Sequence, residues 1–152
     1  MATTHLPLDF KEFLQFLASR SVEYLLVGGY AVNLHGFIRT TGDIDIWIAA
    51  SPENARKMVE VLKDFGFGSL RIPAETFTEL GNAIRMGEKP FKIEILTQIS
   101  GVSFEEAWAG RIEMEVDGVP IHLISLNDLR KNKAASGRPQ DLADLSRLPK
   151  AP

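Results

Sequence analysis

Phe10, Phe13, Leu14 and Leu17 recur at helical spacing behind Asp9 and Glu12, a pair that reads as a capping box, so an amphipathic helix is expected first. Tyr24 to Val27 is a short apolar run closed by Gly28-Gly29, and Ala31 to His35 then reads as a helix ended by Gly36. The expected order is strand, glycine turn, helix. From Asp43 the period changes to two, with Ile44, Ile46 and Ile48 on one strand face and Asp43, Asp45 and Trp47 on the other. Two carboxylates therefore point the same way. Trp47 shares their face, and burial in the core is the expectation for it, ahead of stacking on a base.

Ser51, with Pro52 at the first helical position, opens a helix with Ala55, Met58, Val59, Leu62 and Phe65 as its buried stripe and Gly66 as its stop. Gly68 to Leu80 has no clear period and reads as loop with at most a short helix. Ala83 to Met86, a Gly-Glu-Lys-Pro connection and Phe91 to Leu96 read as a hairpin, in which Phe91, Ile93 and Ile95 alternate with Lys92, Glu94 and Leu96. Glu94 thus stands on a strand otherwise built for burial. Ser103 and Glu106 box a short helix containing Trp108, and Asp117-Gly118 is a strong two-residue turn signal for a second hairpin. Ser125 with Asp128 caps a helix toward Ala135, Gly137 breaks it, and Pro139 to Leu148 is expected as a last helix with Leu142, Leu145 and Leu148 inward. The pattern predicts an α/β fold, a small mixed β-sheet flanked by helices, in a single domain over residues 1–152 with the C-terminal helices 126–148 packed on it.

At 152 residues the chain is the size of one ordinary domain, and with 45% hydrophobic and 24% charged residues it has material for a core of its own. A formal net charge of −3 gives no global signal for nucleic acid or membrane, so any polyanion contact has to be local. The absence of cysteine removes disulfides, thiolate zinc sites and cysteine nucleophiles. His5, His35 and His122 lack zinc-type spacing. Neither a signal peptide nor a membrane-spanning run is visible, and a cytoplasmic location is the expectation.

Asp-x-Asp alone is poor evidence for chemistry. Here, however, Asp43 and Asp45 follow a strand, a double-glycine turn, a short helix and Arg39, while Glu94 stands on a later strand that could lie alongside. Three acids would then stand close to a phosphate-sized turn. The text Val27-Gly28-Gly29-Tyr30-Ala31, His35-Gly36, Arg39-Thr40-Thr41 and Asp43-Ile44-Asp45-Ile46 resembles the DNA polymerase β-like nucleotidyltransferase superfamily. The tail, with Asp128-Leu129, Lys133-Ala134-Ala135, Arg138-Pro139, Asp141-Leu142 and Asp144-Leu145, looks closest to the small bacterial branch of abortive-infection and toxin-type nucleotidyltransferases.

That resemblance implies a minimal nucleotidyltransferase fold and transfer of a nucleoside monophosphate from an NTP to an acceptor hydroxyl or phosphate, with release of pyrophosphate. It implies two Mg²⁺ ions, or Mn²⁺ in their place, held by Asp43, Asp45 and Glu94 as hard oxygen ligands. Glu94 would also accept the proton of the attacking hydroxyl. It departs from the aspartate more usual in the family, and Gly28-Gly29 departs from the frequent Gly-Ser. Gly28 and Gly29 would let backbone N–H groups approach the phosphates, Arg39 or Lys133 would neutralise phosphate charge, and Lys133 with Asp141 or Asp144 would complete the site. At this length no room is expected for the additional helical domain that larger relatives use to hold substrates, so the expectation is that a homodimer or a partner protein completes the cleft. The acceptor, whether small molecule, RNA or protein, is not readable.

Each residue also has a structural reading. Glu94 has Arg85 or Arg111 as ion-pair candidates, Asp141 and Asp144 are placed to cap a helix, and Arg130, Lys131, Lys133 and Arg138 read either as a solvated helix end or as an RNA contact. A rival function is a catalytically weak nucleotide-binding or interaction module of a two-component toxin–antitoxin type. A haloacid-dehalogenase-type phosphatase also begins with Asp-x-Asp, but wants Thr or Val where this chain has Trp47.

Overall fold

A strand running from Asp43 to Ile48 organises the molecule, because both of its edges are paired and its Ile44, Ile46 and Ile48 are fully buried. The computed structural model describes residues 6–88 and 91–150, so His5 and the Lys89-Pro90 part of the hairpin connection lie outside the described residues. The six strands among the described residues are β1 (Tyr24–Val27), β2 (Asp43–Ile48), β3 (Ala83–Glu88), β4 (Phe91–Leu96), β5 (Ile112–Val116) and β6 (Val119–Leu123). Their order across the sheet is β3-β4-β2-β1-β6-β5. β2 pairs antiparallel with β1 and parallel with β4, and β1 pairs parallel with β6, so the sheet is mixed.

Among the described residues six helices flank it: α1 (Leu8–Ser19), α2 (Gly28–Leu34), α3 (Pro52–Asp64), α4 (Phe104–Ala109), α5 (Leu126–Ser136) and α6 (Pro139–Arg147). In α1 the expected face is buried, but the helix starts at Leu8 behind Pro7, which supplies no side-chain cap. Asp9 therefore lies inside the first turn, where it favours the helix dipole without forming the expected box. Ser51, Ser103 and Ser125 all accept a backbone N–H as the pattern requires. Gly68 to Leu80 holds two single-turn 3-10 helices, Gly68–Leu70 and Ala74–Phe77, the second burying Phe77.

The buried stripe of α3 includes Asn54, whose side chain accepts from the Glu23 N–H and donates to the carbonyls of Glu23 and Ala49. Trp47 is in the core as expected, edge-on to Phe104 at 5.1 Å. At Asp117-Gly118 both φ angles are positive, which is the two-residue hairpin geometry.

α6 turns a different face inward from the one its leucines suggest. Leu142 is 51% exposed, whereas Asp141 and Asp144 are at 1% and 0%. Of the three leucines only Leu148, just past the helix end, is fully in the core. The carboxylates can be inside because α5 brings Lys133, the segment after α2 brings Arg39 and the start of α6 itself brings Arg138, so the buried face is neutralised by three cations, of which Arg39 is far away in sequence.

Candidate active site

Four strands contribute one row of side chains on a single face of the sheet. Arg85 on β3 is in register with Glu94 on β4, Glu94 with Asp45 on β2, and Asp45 with Val27 on β1. In-register neighbours share a face and lie about 5 Å apart along the pairing direction, so Glu94 and Asp45 are adjacent. Asp43 lies two residues before Asp45 on the same face, at the exposed start of the strand. The three acids expected to cooperate are thus on one surface.

Gly28 follows Val27 directly and turns the chain into α2 with a φ of +69°. A Cβ there would stand 2.0 Å from Asp45 Oδ2, so this carboxylate packs on the bare Cα. At Gly29 a Cβ would stand 2.6 Å from Thr41 Oγ1 and 3.4 Å from Arg39 Nη1. The double glycine is therefore required by close approach from two sides. Over it opens a cleft of about 500 Å³, bounded by Gly28, Gly29, Arg39, Asp43, Asp45 and Lys133 among others. A second hollow of about 310 Å³, reached past Glu94, Gln98, Ser100 and Asn132, shares Asp45 with it.

The two sides of the cleft differ in charge. On the sheet side, burial, then the neighbouring Glu94 and Asp43, push the Asp45 carboxyl up to about 7, with Lys133 and Arg138 pulling the other way. Glu94 is paired with Arg85, not with Arg111, which pairs with Glu113 at 3.2 Å and lies over Trp108. Among the described residues no three histidine, aspartate or glutamate side chains are gathered tightly enough to grip a metal ion. The donor set nevertheless suits a hard divalent cation: carboxylate oxygens, one of them, on Asp45, in surroundings that disfavour its ionised form and that a bound cation would offset.

On the helical side, Lys133 is buried with its Nζ 3.1 Å from Asp141 Oδ1 and 3.0 Å from Asp144 Oδ2. Arg39 grips Asp144 through Nε and Nη2 at 2.8 and 2.9 Å. Arg138 holds Asp141 from Nε at 2.7 Å, and Gln140 donates to Asp144 at 2.9 Å. Burial alone would raise both carboxyls; the bonds from Arg138 and Lys133 to Asp141, and from Arg39 and Lys133 to Asp144, outweigh it and hold both below the usual range. Three cations face two carboxylates, so this wall keeps one net positive charge.

Capping accounts for Asp141, which accepts the Arg138 backbone N–H at 3.3 Å, but not for Asp144, whose bonds come from the side chains of Arg39, Lys133 and Gln140. The basic residues of the tail do not form one patch. Arg130 donates to the carbonyls of Leu145 and Pro149 at the end of α6, Lys133 is buried, and Arg138 lines the cleft. His35 bonds the Ile124 carbonyl at 2.7 Å and His122 packs beside Tyr24 and Trp108, both away from the acids. Arg138, Thr41 and Gln140 are cleft residues that sequence reasoning did not place there. The signal for Arg138 was Arg-Pro at a helix start with Asp three residues on, which is a capping box turned toward the site.

A search of curated proteins finds no match. Among solved structures, a Thermotoga maritima protein described as a putative nucleotidyltransferase is similar with a TM-score of 0.59 at 15% identity, over 90% of this chain and 87% of that one. At that identity the likeness speaks to the fold, which is that of a small nucleotidyltransferase. No helix among the described residues is long and apolar enough to cross a membrane. The family model described as "Nucleotidyltransferase of unknown function (DUF6036)" matches residues 8–148, and the chain with the glycine bend under Asp45 is a nucleotidyltransferase of that family.

Proposed function

We propose that the protein transfers a nucleoside monophosphate from an NTP to an acceptor hydroxyl or phosphate in the cleft above Gly28-Gly29, releasing pyrophosphate, with Asp43, Asp45 and Glu94 holding Mg²⁺ or Mn²⁺. The observation that carries this reading is the in-register pair of Asp45 and Glu94, with Gly28 bare beneath the Asp45 carboxylate. Asp43, Asp45 and Glu94 would hold the divalent ions, which when bound would supply positive charge against that developing on the attacking and leaving oxygens. The acceptor oxygen bonds to the α-phosphorus as the bond to the β-phosphate oxygen breaks, and Glu94 takes the acceptor's proton where that acceptor is a hydroxyl. Gly28 and Gly29 let the phosphates lie against the backbone without a Cβ in the way. Arg39 spends Nε and Nη2 on Asp144, while Nη1, which lies beside Gly29 and makes one long bond of 3.4 Å to the Thr40 carbonyl, is the nitrogen with donor capacity left for phosphate. Lys133, sealed between Asp141 and Asp144, acts by its charge and by fixing those two side chains.

The same Lys133, Asp141 and Asp144 set supports placing the chain near the toxin-type branch, where a protein partner or a second copy would complete the cleft. The rival, a nucleotide-binding module with weak catalysis, is favoured by one observation: Glu94 is engaged by Arg85. Label transfer from α-³²P-NTP to cell-extract components separates the two. Transfer that disappears in Asp43→Asn and Asp45→Asn supports the enzyme. Stabilisation by Mg-NTP of about 2.7 kcal/mol at a hundredfold excess over Kd, with no labelling in any extract, supports the module. Neither effect with any NTP in Mg²⁺ or Mn²⁺ overturns both.

A further inference from the structure

Across the row that crosses the sheet, one cation is followed by two acids, and the cation is one the cleft chemistry alone does not require: Arg85, Glu94, Asp45. Lys133 and Arg138, the cations closest to the acids on the helical side, are both bonded to Asp141, and Lys133 to Asp144 as well, so Glu94 takes its partner from the opposite side, on edge strand β3. The two partners differ in freedom. Glu94 has 17% of its side chain exposed and Arg85 has 70%, so the guanidinium can leave for water while the carboxylate stays. Glu94 is also the one ion-pair partner of Arg85 among the described residues.

We propose that Arg85 is a positioning residue, an internal counter-ion that holds Glu94 away from Asp43 and Asp45 and has to release it before a divalent cation binds. This rests on the cation reading of the cleft. With no cation present, three carboxylates on one face repel, and turning Glu94 toward Arg85 relieves that repulsion. A pair this exposed on one side is worth about a two- to fivefold factor in an equilibrium, enough to bias the site and weak enough to yield to a doubly charged ion. The inference adds a residue that no motif in the glycine-to-aspartate block contains.

The test measures Mn²⁺ binding to the full chain, without nucleotide, by isothermal titration calorimetry and by water-proton relaxation. Arg85→Ala should bind Mn²⁺ about two- to fivefold tighter than wild type, and Arg85→Lys should stay near wild type. In a Glu94→Gln background the same Arg85→Ala change should give no gain, because the group it restrains is gone. Equal or weaker binding by Arg85→Ala overturns the proposal, as does a gain of the same size in the Glu94→Gln background, which would mark Arg85 as a general repulsive charge. Melting curves in EDTA check that each variant is folded; Arg85→Gln, which removes the charge and keeps most of the side chain, replaces Arg85→Ala in both backgrounds if Arg85→Ala is not, with the same gain expected and the same results overturning the proposal. A wild type that binds no Mn²⁺ overturns the cation reading itself, and with it this inference, whereas normal Mn²⁺ binding with no Arg85 effect overturns this inference alone.

Discussion

The Asp45 carboxylate and Gly28 are in contact without a side chain between them: a Cβ at position 28 would stand 2.0 Å from Oδ2 and 2.9 Å from Cγ. Gly28 also holds a φ of +69°, which L residues adopt at a cost of roughly 1 kcal/mol. Gly28→Ala should therefore destabilise the fold by more than the backbone term alone, about 2–4 kcal/mol, and should displace Asp45. Adding Asp45→Ala should recover the steric part but not the backbone part. Chemical denaturation of the two single variants and the double variant measures that coupling, and additive effects would place the clash elsewhere.

Asp45 links function to stability through pH. Its folded-state value near 7 lies above the usual 3.9 or so, hence the folded protein binds its proton more tightly than the unfolded chain. Stability of the cation-free protein should then fall as pH rises from about 4 to about 7 and stay low above that. Asp45→Asn keeps the shape and removes the charge, so in EDTA at pH 8 it should melt about 5–10 °C higher than wild type, with little difference at pH 4. Mn²⁺ should raise the wild-type melting temperature at pH 8 and leave Asp45→Asn much less affected. Thermal melts at the two pH values, with and without the ion, check both statements.

Lys133 is the reverse case, a charge whose removal strands its partners. Its Nζ serves Asp141 and Asp144 at 3.1 and 3.0 Å, and although Arg138 and Arg39 remain, each carboxylate loses a bond in a closed environment. Lys133→Met should cost about 3 kcal/mol. Both carboxyls are depressed, so their contribution is present above about pH 4 and is lost as pH falls through their lower folded values. Urea unfolding should show wild type losing stability below pH 4 and the variant losing less over the same interval.

These relationships mark where the sequence can be read and where it cannot. Local signals were strong: the serine caps, the Asp117-Gly118 hairpin, the two-residue alternation of β2 and the glycine turn each act within a few residues. From the alternation alone Asp43 and Asp45 share a face, and Glu94 on a later strand was a candidate neighbour; the register that sets it against Asp45 comes from pairing parallel strands some fifty residues apart. What was not legible is the neutralisation of charge by distant partners. Arg39 and Asp144 lie 105 residues apart and no local pattern announces their bond. Without it, a helix with leucines at 142, 145 and 148 and aspartates at 141 and 144 reads with the leucines inside, because one residue's offset is about a 100° rotation.

The face that α6 turns inward can be tested directly. Leu142, half exposed, should accept Leu142→Gln with a change within about 0.5 kcal/mol. Leu148, at 4% exposure, should cost about 2–3 kcal/mol as Leu148→Ala. Asp144→Asn should be costly although it is nearly isosteric, about 3 kcal/mol, because Arg39 and Lys133 would share a neutral amide where they now share a carboxylate. It should also loosen Arg39 over Gly29, so that the apparent affinity for Mg-NTP drops together with stability, while Leu148→Ala lowers stability alone. Denaturation curves and nucleotide titrations on the three variants separate these outcomes. A large loss at Leu142, or an Asp144→Asn protein as stable as wild type, would mean that α6 is rotated about its axis relative to the arrangement described.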